Sequence, residues 1–489
     1  LLNNITFLFL KRRYCLIFKF FGFIAKNVKI RNLYRVIAMN KKLLLAVSLS
    51  ALISVNANAD TIYEAMSEAY NSNPTLHGQR AASGATNEDA AAARSGFRPT
   101  IGVNGNYSDT HVRKTGNATV DGYQKGYNGS ITQPVFNGFS TYNAVKAADS
   151  AAKAGIQDLY AVEQTVLLGA STAYLDVMRD EAIVRLQKNN ERLLKKQLDE
   201  TLARFDVGEV TRTDVAQSRA SYAQAQSDVI SAEGNLAISK ATYLQMVGKE
   251  PKDLQNPASI TKMFPTRFDE AMNYARSNNY SLLAAKKQLD AASYSVNSNK
   301  GALLPDVSFT ASSGKTTQSN HDMAKNPSTT STQYSLDMNV PLYTGGATRA
   351  KIRKSKYQKW QAQEGVLEAE RAVVAGVTSY WQSMQANKSN ITSIQAQVKA
   401  SAIALEGTQK EEALGNRTVL DVLNAYQTLL TSQVNEVKAL HDYYVSGLQL
   451  MQSMGKLTAQ KLALKVNFYD AEEHYKNTKG KWLTLSIDK

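Results

Sequence analysis

The chain is almost without cysteine. Its one thiol, Cys15, lies near the start of 489 residues, so no disulfide framework braces the body and thiol catalysis there is excluded. Histidine is scarce too: His77, His111, His321, His441 and His474 are scattered, with no HExxH and no i,i+4 pair, a pattern of surface imidazoles and not of a metal site. A GxxxxGKS/T phosphate loop is absent, as are GxSxG and any isolated carboxylate pair, which leaves a secreted hydrolase without chemistry and calls for no cofactor. From Asp60 onward no segment approaches the roughly 18 uninterrupted apolar residues of a spanning helix. If the chain crosses a membrane, it must do so as a β-barrel.

What is present begins with MNKKLLLAVSLSALISVNANAD, from Met39. A basic start, an apolar run from Leu43 to Val55 and Ala57-Asn58-Ala59 have the order of a secretory signal, so residues 39–59 are expected to be removed. Residues 1–38 hold no Met and no acid and are read as translation upstream of that start, with an organelle presequence as the alternative. Ten of the 57 Lys and Arg fall in the first 59 positions, so the rest carries 47 basic against 42 acidic side chains. The formal charge of +15 thus shrinks to near +5, and without a basic stripe nothing calls for nucleic acid.

Most of the remaining chain is written twice. EAMSEAYNSNPTL from Glu64 matches EAMNYARSNNYSL from Glu270, QPVFNGFST from Gln133 matches VPLYTGGAT from Val340, and GEVTRTDV from Gly208 matches GNRTVLDV from Gly415. Two homologous halves, 60–255 and 266–460, precede a polar tail, 461–489, and such a repeat constrains the architecture before any local reading does.

Each half opens with an Ala-rich helical segment, about Ile62 to Ser95 and about Phe268 to Lys300. Strands follow. Ile101, Val103 and Tyr107 alternate with Gly102, Asn104 and Asn106, and Tyr334, Leu336 and Met338 alternate with Ser335, Asp337 and Asn339. Two such runs flank a polar loop in each half, about Asp109 to Gly122 and about Ser312 to Thr332, giving four strands. A long helix then runs from about Phe139 to Phe205, and again from about Gly346 to Ala413, with small and apolar residues at alternating steps of three and four (Val145, Ala148, Ala152, Gly155, Leu159, Val162, Val166), a coiled-coil seam. Shorter helices, about Thr213 to Met246 and Leu420 to Met454, close each half. Four strands cannot close a barrel and an open edge is not tolerated in lipid, so several chains must share one; three would give twelve strands.

The motifs VPLYTGG (Val340 to Gly346), RFDVGEVTRTDV (Arg204 to Val215) and GNRTVLDVLNA (Gly415 to Ala425), in this duplicated order, resemble the TolC family of outer-membrane channel proteins. The resemblance implies a mainly α fold with a small β part: a long coiled-coil α-helical barrel in the periplasm, and a four-strand share of a trimeric twelve-stranded outer-membrane β-barrel. It also implies a homotrimer seated in outer-membrane lipid. A periplasmic adaptor protein would connect it to an inner-membrane ABC or RND-type transporter, making it a passive exit duct for efflux or type I secretion and not an enzyme. By motif, the gate at the periplasmic tip falls on Thr213, Asp214, Arg417, Asp421 and Asn424, beside the turn glycines Gly208 and Gly415. One member of the family has a second acidic ring where neutral Asn424 stands here, and a tyrosine three residues before the turn glycine where Glu412 stands.

Two readings stand for the tip carboxylates. Thr211-x-x-Asp214 and Thr418-x-x-Asp421 fit capping boxes worth about 1 kcal/mol. Repeated three times about an axis, the same carboxylates would form a cation-attracting constriction. Arg417 is a tip ion pair or a solvated charge. Pro134, Gly138, Pro341, Gly345 and Gly346 read as punctuation where a strand turns into a helix. Tyr174 and Trp381 read as packing residues between coils, and Tyr107, Tyr127, Tyr334 and Tyr343 as girdle or ordinary strand tyrosines. A periplasmic coiled-coil tether explains the signal and the heptads, but leaves the duplicated alternating strands unexplained.

Overall fold

In the computed structural model the residues described are 60–113, 119–320 and 327–487. The expected upstream extension and signal, 1–59, and the tips of the two polar loops lie outside them. Two helices, α1 (Ile62–Ser72) and α2 (Pro74–Ser95), lead into strands β1 (Thr100–Arg113) and β2 (Thr119–Asn137). Helix α3 (Ser140–Asp206) and helix α4 (Arg212–Val247) complete the first half. The second half repeats the order: α5 (Phe268–Asn278), α6 (Tyr280–Gly301), β3 (Asp306–Asn320), β4 (Ser328–Asn339), α7 (Ala347–Ala413) and α8 (Val419–Ser453), followed by α9 (Ala471–Thr478).

The opening helical segments differ from the sequence expectation, because each is broken in two. Asn73 and Asn279, both near φ −70° and ψ 120°, leave the helical region, and their side chains accept from the N–H groups of Thr75 and Leu282. Pro74 enforces the first break; the second lacks a proline, so the Asn cap itself competes with continued helix. The polar loops are also shorter than expected. The strands extend through Arg113 and Asn320, so β1 has 14 residues and β3 has 15, more than the roughly 9–11 that a tilted membrane crossing needs.

The sheet runs β1-β2-β3-β4, antiparallel throughout, and β2–β3 joins the two halves. Paired residues share a face, and the faces separate by chemistry. One carries Ile101, Val103, Ile131, Phe309, Leu336 and Met338, and the other Asn104, Asn106, Asn128, Ser130, Ser312 and Gln333. On the apolar face Ile101 is 74%, Val103 77% and Leu336 68% exposed, so nothing among the described residues covers it. Pro134 stands inside β2 at a bulge, one of the few places where a strand accepts a residue without an N–H.

Helices α3 and α7 hold 67 residues each, roughly 100 Å at 1.5 Å per residue. They enter from the sheet through left-handed pairs, Gly138–Phe139 and Gly345–Gly346. The middle of α3 is buried well beyond a two-helix seam: Leu159, Val166, Leu167 and Tyr174 meet Ile62 and Met66 of α1, Leu282 of α6, and Leu448 and Met451 of α8. Tyr174 directs its hydroxyl to the carbonyls of Asp60 and Gln255, whereas its repeat partner Trp381 packs edge-on against Phe268. The segment expected as a polar tail packs here too. Leu462, Leu464 and Tyr475 are buried, and buried Glu163 and Gln164 accept from the backbone of Ala459 and Leu457. Burial raises the Glu163 carboxyl despite the Ala459 N–H.

The two helix entries give a paired prediction. A Cβ on Gly138 would stand 2.2 Å from the carbonyl oxygen of Gly301, while at Gly345 nothing lies within 4 Å; both have φ near +60°. Gly345→Ala should cost only the left-handed penalty, about 1–2 kcal/mol. Gly138→Ala should cost distinctly more in thermal unfolding followed by helical circular dichroism, since backbone and not a movable side chain must give way.

Candidate channel aperture

At the far end of α3 and α7 the two turns have the same geometry. Gly208 (φ 82°) donates to Phe205 and Glu209 to Arg204; Gly415 (φ 78°) donates to Glu412 and Asn416 to Glu411. These are paired 5→2 and 6→1 bonds at a left-handed residue, which satisfy the last carbonyls of each long helix. Three residues on, the chain starts again. Thr211 Oγ1 accepts from Asp214 N at 3.2 Å while Asp214 Oδ2 accepts from Thr211 N at 2.9 Å; Thr418 and Asp421 repeat both bonds at 3.2 and 2.9 Å. Both capping boxes are therefore formed. Hydrogen bonds from the Thr211 hydroxyl and backbone hold Asp214 below the usual carboxylate range, and those from the Thr418 backbone and hydroxyl do the same for Asp421.

Thr213 is exposed on the first turn of α4, and Asp214 is half-buried beside it. Asp421 is half-buried and Asn424, one turn on along the same face of α8, is exposed. Arg417 does not reach Thr213 or Asp214; its Nε donates to Glu411 at 2.9 Å, across its own turn. Within one chain the five residues thus form two separate clusters.

The turns are joined by residues that motif reasoning passed over. Arg204, at the end of α3, donates to Glu412, at the end of α7, and also to Glu209 at 3.2 Å. Glu412 is nearly buried, and the hydrogen bond to it is the first cause of the raised Arg204 pKa. Sequence comparison marks Glu412 only as a missing tyrosine; its acid–base match with Arg204, 208 residues away, is visible only once the fold brings the helix ends together. Leu194, Leu405, Val422, Leu423 and Tyr426 form a small core just above. Below it Val207 and Leu414, equivalent residues at the very tip, are 71% and 77% exposed.

A second link lies higher on the same helices. His441 of α8 places Nε2 3.0 Å from Asp176 of α3 and Nδ1 2.9 Å from Asp442, while Arg179 donates to Asp176 and Asp180. Burial opposes a charged imidazole here, but the flanking carboxylates of Asp176 and Asp442 prevail and the His441 pKa is raised. Among the described residues no cluster of His, Cys, Asp and Glu could hold a metal, and no helix is long and apolar enough to cross a membrane.

The arrangement of an amphipathic sheet, 100 Å helices and paired turns has known counterparts. BepC, an outer membrane efflux protein of Brucella suis, is 35% identical over 88% of this chain and 92% of its own length. TolC of Escherichia coli, an outer membrane protein, is 26% identical over 86% of this chain and 87% of its own. The CmeC outer membrane channel of Campylobacter jejuni superposes with a TM-score of 0.72 over 86% of this chain and 89% of its own, at 14% identity, which is a likeness of fold. The family model for outer membrane efflux proteins matches residues 65–249 and 271–456, one span in each repeat. The chain belongs to the outer membrane efflux protein family, whose channels sit in the Gram-negative outer membrane and extend into the periplasm.

Proposed function

We propose that three copies of this chain form one passive exit duct, twelve strands in the outer membrane above a closed helical tunnel. A single observation carries it: one chain supplies an antiparallel sheet with one apolar and one polar face and two open edges, β1 and β4. In hydrocarbon neither edge can stay unpaired, and pairing β4 of one copy with β1 of the next removes every edge at once. The polar face then lines a wet lumen and the apolar face meets lipid. Energy for transport would come from an inner-membrane transporter reached through a periplasmic adaptor. The exposed Val207 and Leu414 at the tip are suited to contact that adaptor. Since BepC and the matching family are named for efflux, small-molecule efflux is the favoured cargo class. A peripheral tether does not account for an uncovered apolar sheet face.

At the tip, Asp421 keeps its cap while its second carboxylate oxygen is free to face the axis, where three copies would make a negative constriction. Asn424 adds no charge to that ring. Within each copy the Arg204–Glu412 pair ties the end of one coil to the end of the other and serves as the latch that opening must break.

Four outcomes test this. Outer-membrane extracts should yield a heat-modifiable trimer that conducts in planar bilayers; a protein released by urea or high salt contradicts the reading. Asp421→Ala should reduce cation preference, and unchanged selectivity removes that carboxylate from the pore. Glu412→Gln should raise the frequency of open events several-fold, because an ion pair open to solvent on its Arg204 side is worth up to about 1 kcal/mol; conductance indistinguishable from the parent protein excludes the latch. The pH dependence follows from the raised pKa of His441: its contribution to closure is complete below the ordinary imidazole value and is lost as pH rises through the raised one. Opening should therefore increase on the alkaline side, and His441→Gln should flatten that profile.

A further inference from the structure

The apolar face of the sheet carries two lysines. Lys315 is paired with Tyr127, and Lys125 with Tyr107 and Thr317, so the two ammonium-bearing residues are diagonal neighbours on β2 and β3, with Cβ atoms roughly 7–8 Å apart. Both side chains are exposed, and among the described residues neither makes an ion pair. Lys125 lies 5.8 Å from the ring centroid of Tyr123, and the nearest carboxylate row holds Asp109, whose partner is His111 at 3.9 Å. Because β2 and β3 are the inner strands of the sheet, the edge of a neighbouring copy cannot bring a carboxylate to them.

Their height follows from the register. The apolar rows start at Val307 and Met338; eight residues along a strand tilted about 40° rise roughly 20 Å to Lys315, close to the full 25 Å of a lipid-facing band. A lysine is costly at mid-bilayer and nearly free of that cost near the interface, which places the pair at the outer boundary, far from the helices. Here two ammonium groups face outward into a partly dehydrated layer, with Asp109 a diagonal step from Lys125 and, among the described residues, no carboxylate beside Lys315; Tyr107, Tyr123 and Tyr127 flank them, and their rings suit the acyl–headgroup boundary.

We propose that Lys125 and Lys315 form a clasp for a phosphate group of the outer-leaflet glycolipid, one per copy, with the three tyrosines packing on its acyl and sugar parts. A phosphate shared by both lysines relieves their mutual repulsion and supplies Lys315 with the anion that its neighbours in the sheet do not. This rests on the barrel reading above, which decides that the face meets lipid.

The test uses the purified full-length trimer, with native mass spectrometry counting bound bisphosphorylated lipid A against the same lipid stripped of phosphate, and bilayer conductance recorded on the same sample. The parent protein should retain the phosphorylated form on the order of tenfold better. K125Q/K315Q should lose that preference and K125R/K315R should keep it, both remaining conducting trimers. Equal retention of the two lipids, or a preference that survives K125Q/K315Q, overturns the clasp while leaving the channel intact. A parent chain that forms no trimer overturns the channel reading and the clasp together.

Discussion

A backbone N–H or C=O facing hydrocarbon has no water to turn to, and each one left unpaired costs several kcal/mol. That cost governs this molecule. It forbids β1 and β4 from ending the sheet inside a membrane, so the four strands of one chain are a fraction of a structure. It also explains the sheet's composition. Side chains alternate between Ile101, Val103 and Leu336 on one face and Asn104, Asn128 and Gln333 on the other because, once closed, the two faces meet different solvents. The left-handed pairs Gly138–Phe139 and Gly345–Gly346 then turn strand into helix at the end of the sheet.

The two repeats began as the same text and were given different surroundings. In the first, α3 is enclosed by α1, α6, α8 and the C-terminal segment, and its middle carries buried Glu163, Gln164 and Tyr174. In the second, α7 is exposed over much of its length, and above its distal third only Ile352, Ser355, Val373, Val377 and Met384 are buried. A symmetric pair of coils would have no preferred direction of motion. An asymmetric one, fastened by Arg204–Glu412 at the tip and by Asp176–His441 above, has one braced coil and one that is free to move against it.

Much of this was legible before any coordinates. The long helices, the strand order and the tip turns come from patterns repeated over many residues: a seam at steps of three and four, alternation at two, and a glycine with a Thr-x-x-Asp box written twice. The broken opening helices were harder to see, since Asn279 interrupts a run of good helix formers with a single side chain and no proline. The packing of the tail is hard to read because its polar composition hides four apolar anchors, Leu462, Leu464, Ala471 and Tyr475, whose burial depends on helices hundreds of residues earlier. The Arg204–Glu412 link was invisible for the same reason. Pairwise chemistry across repeats leaves no local periodicity to read.

The proposed closure of a barrel by β1 and β4 of different copies can be measured directly. Within one chain these strands are three spacings apart, about 14 Å, well beyond the roughly 7 Å that a disulfide can span. A cysteine at Val103 combined with one scanned from Tyr334 to Met338 should therefore cross-link only between chains, giving a ladder that ends at three copies and conducts. Cross-links that stop at two copies or run on without limit, or no cross-link at any register, would contradict a barrel closed by three chains.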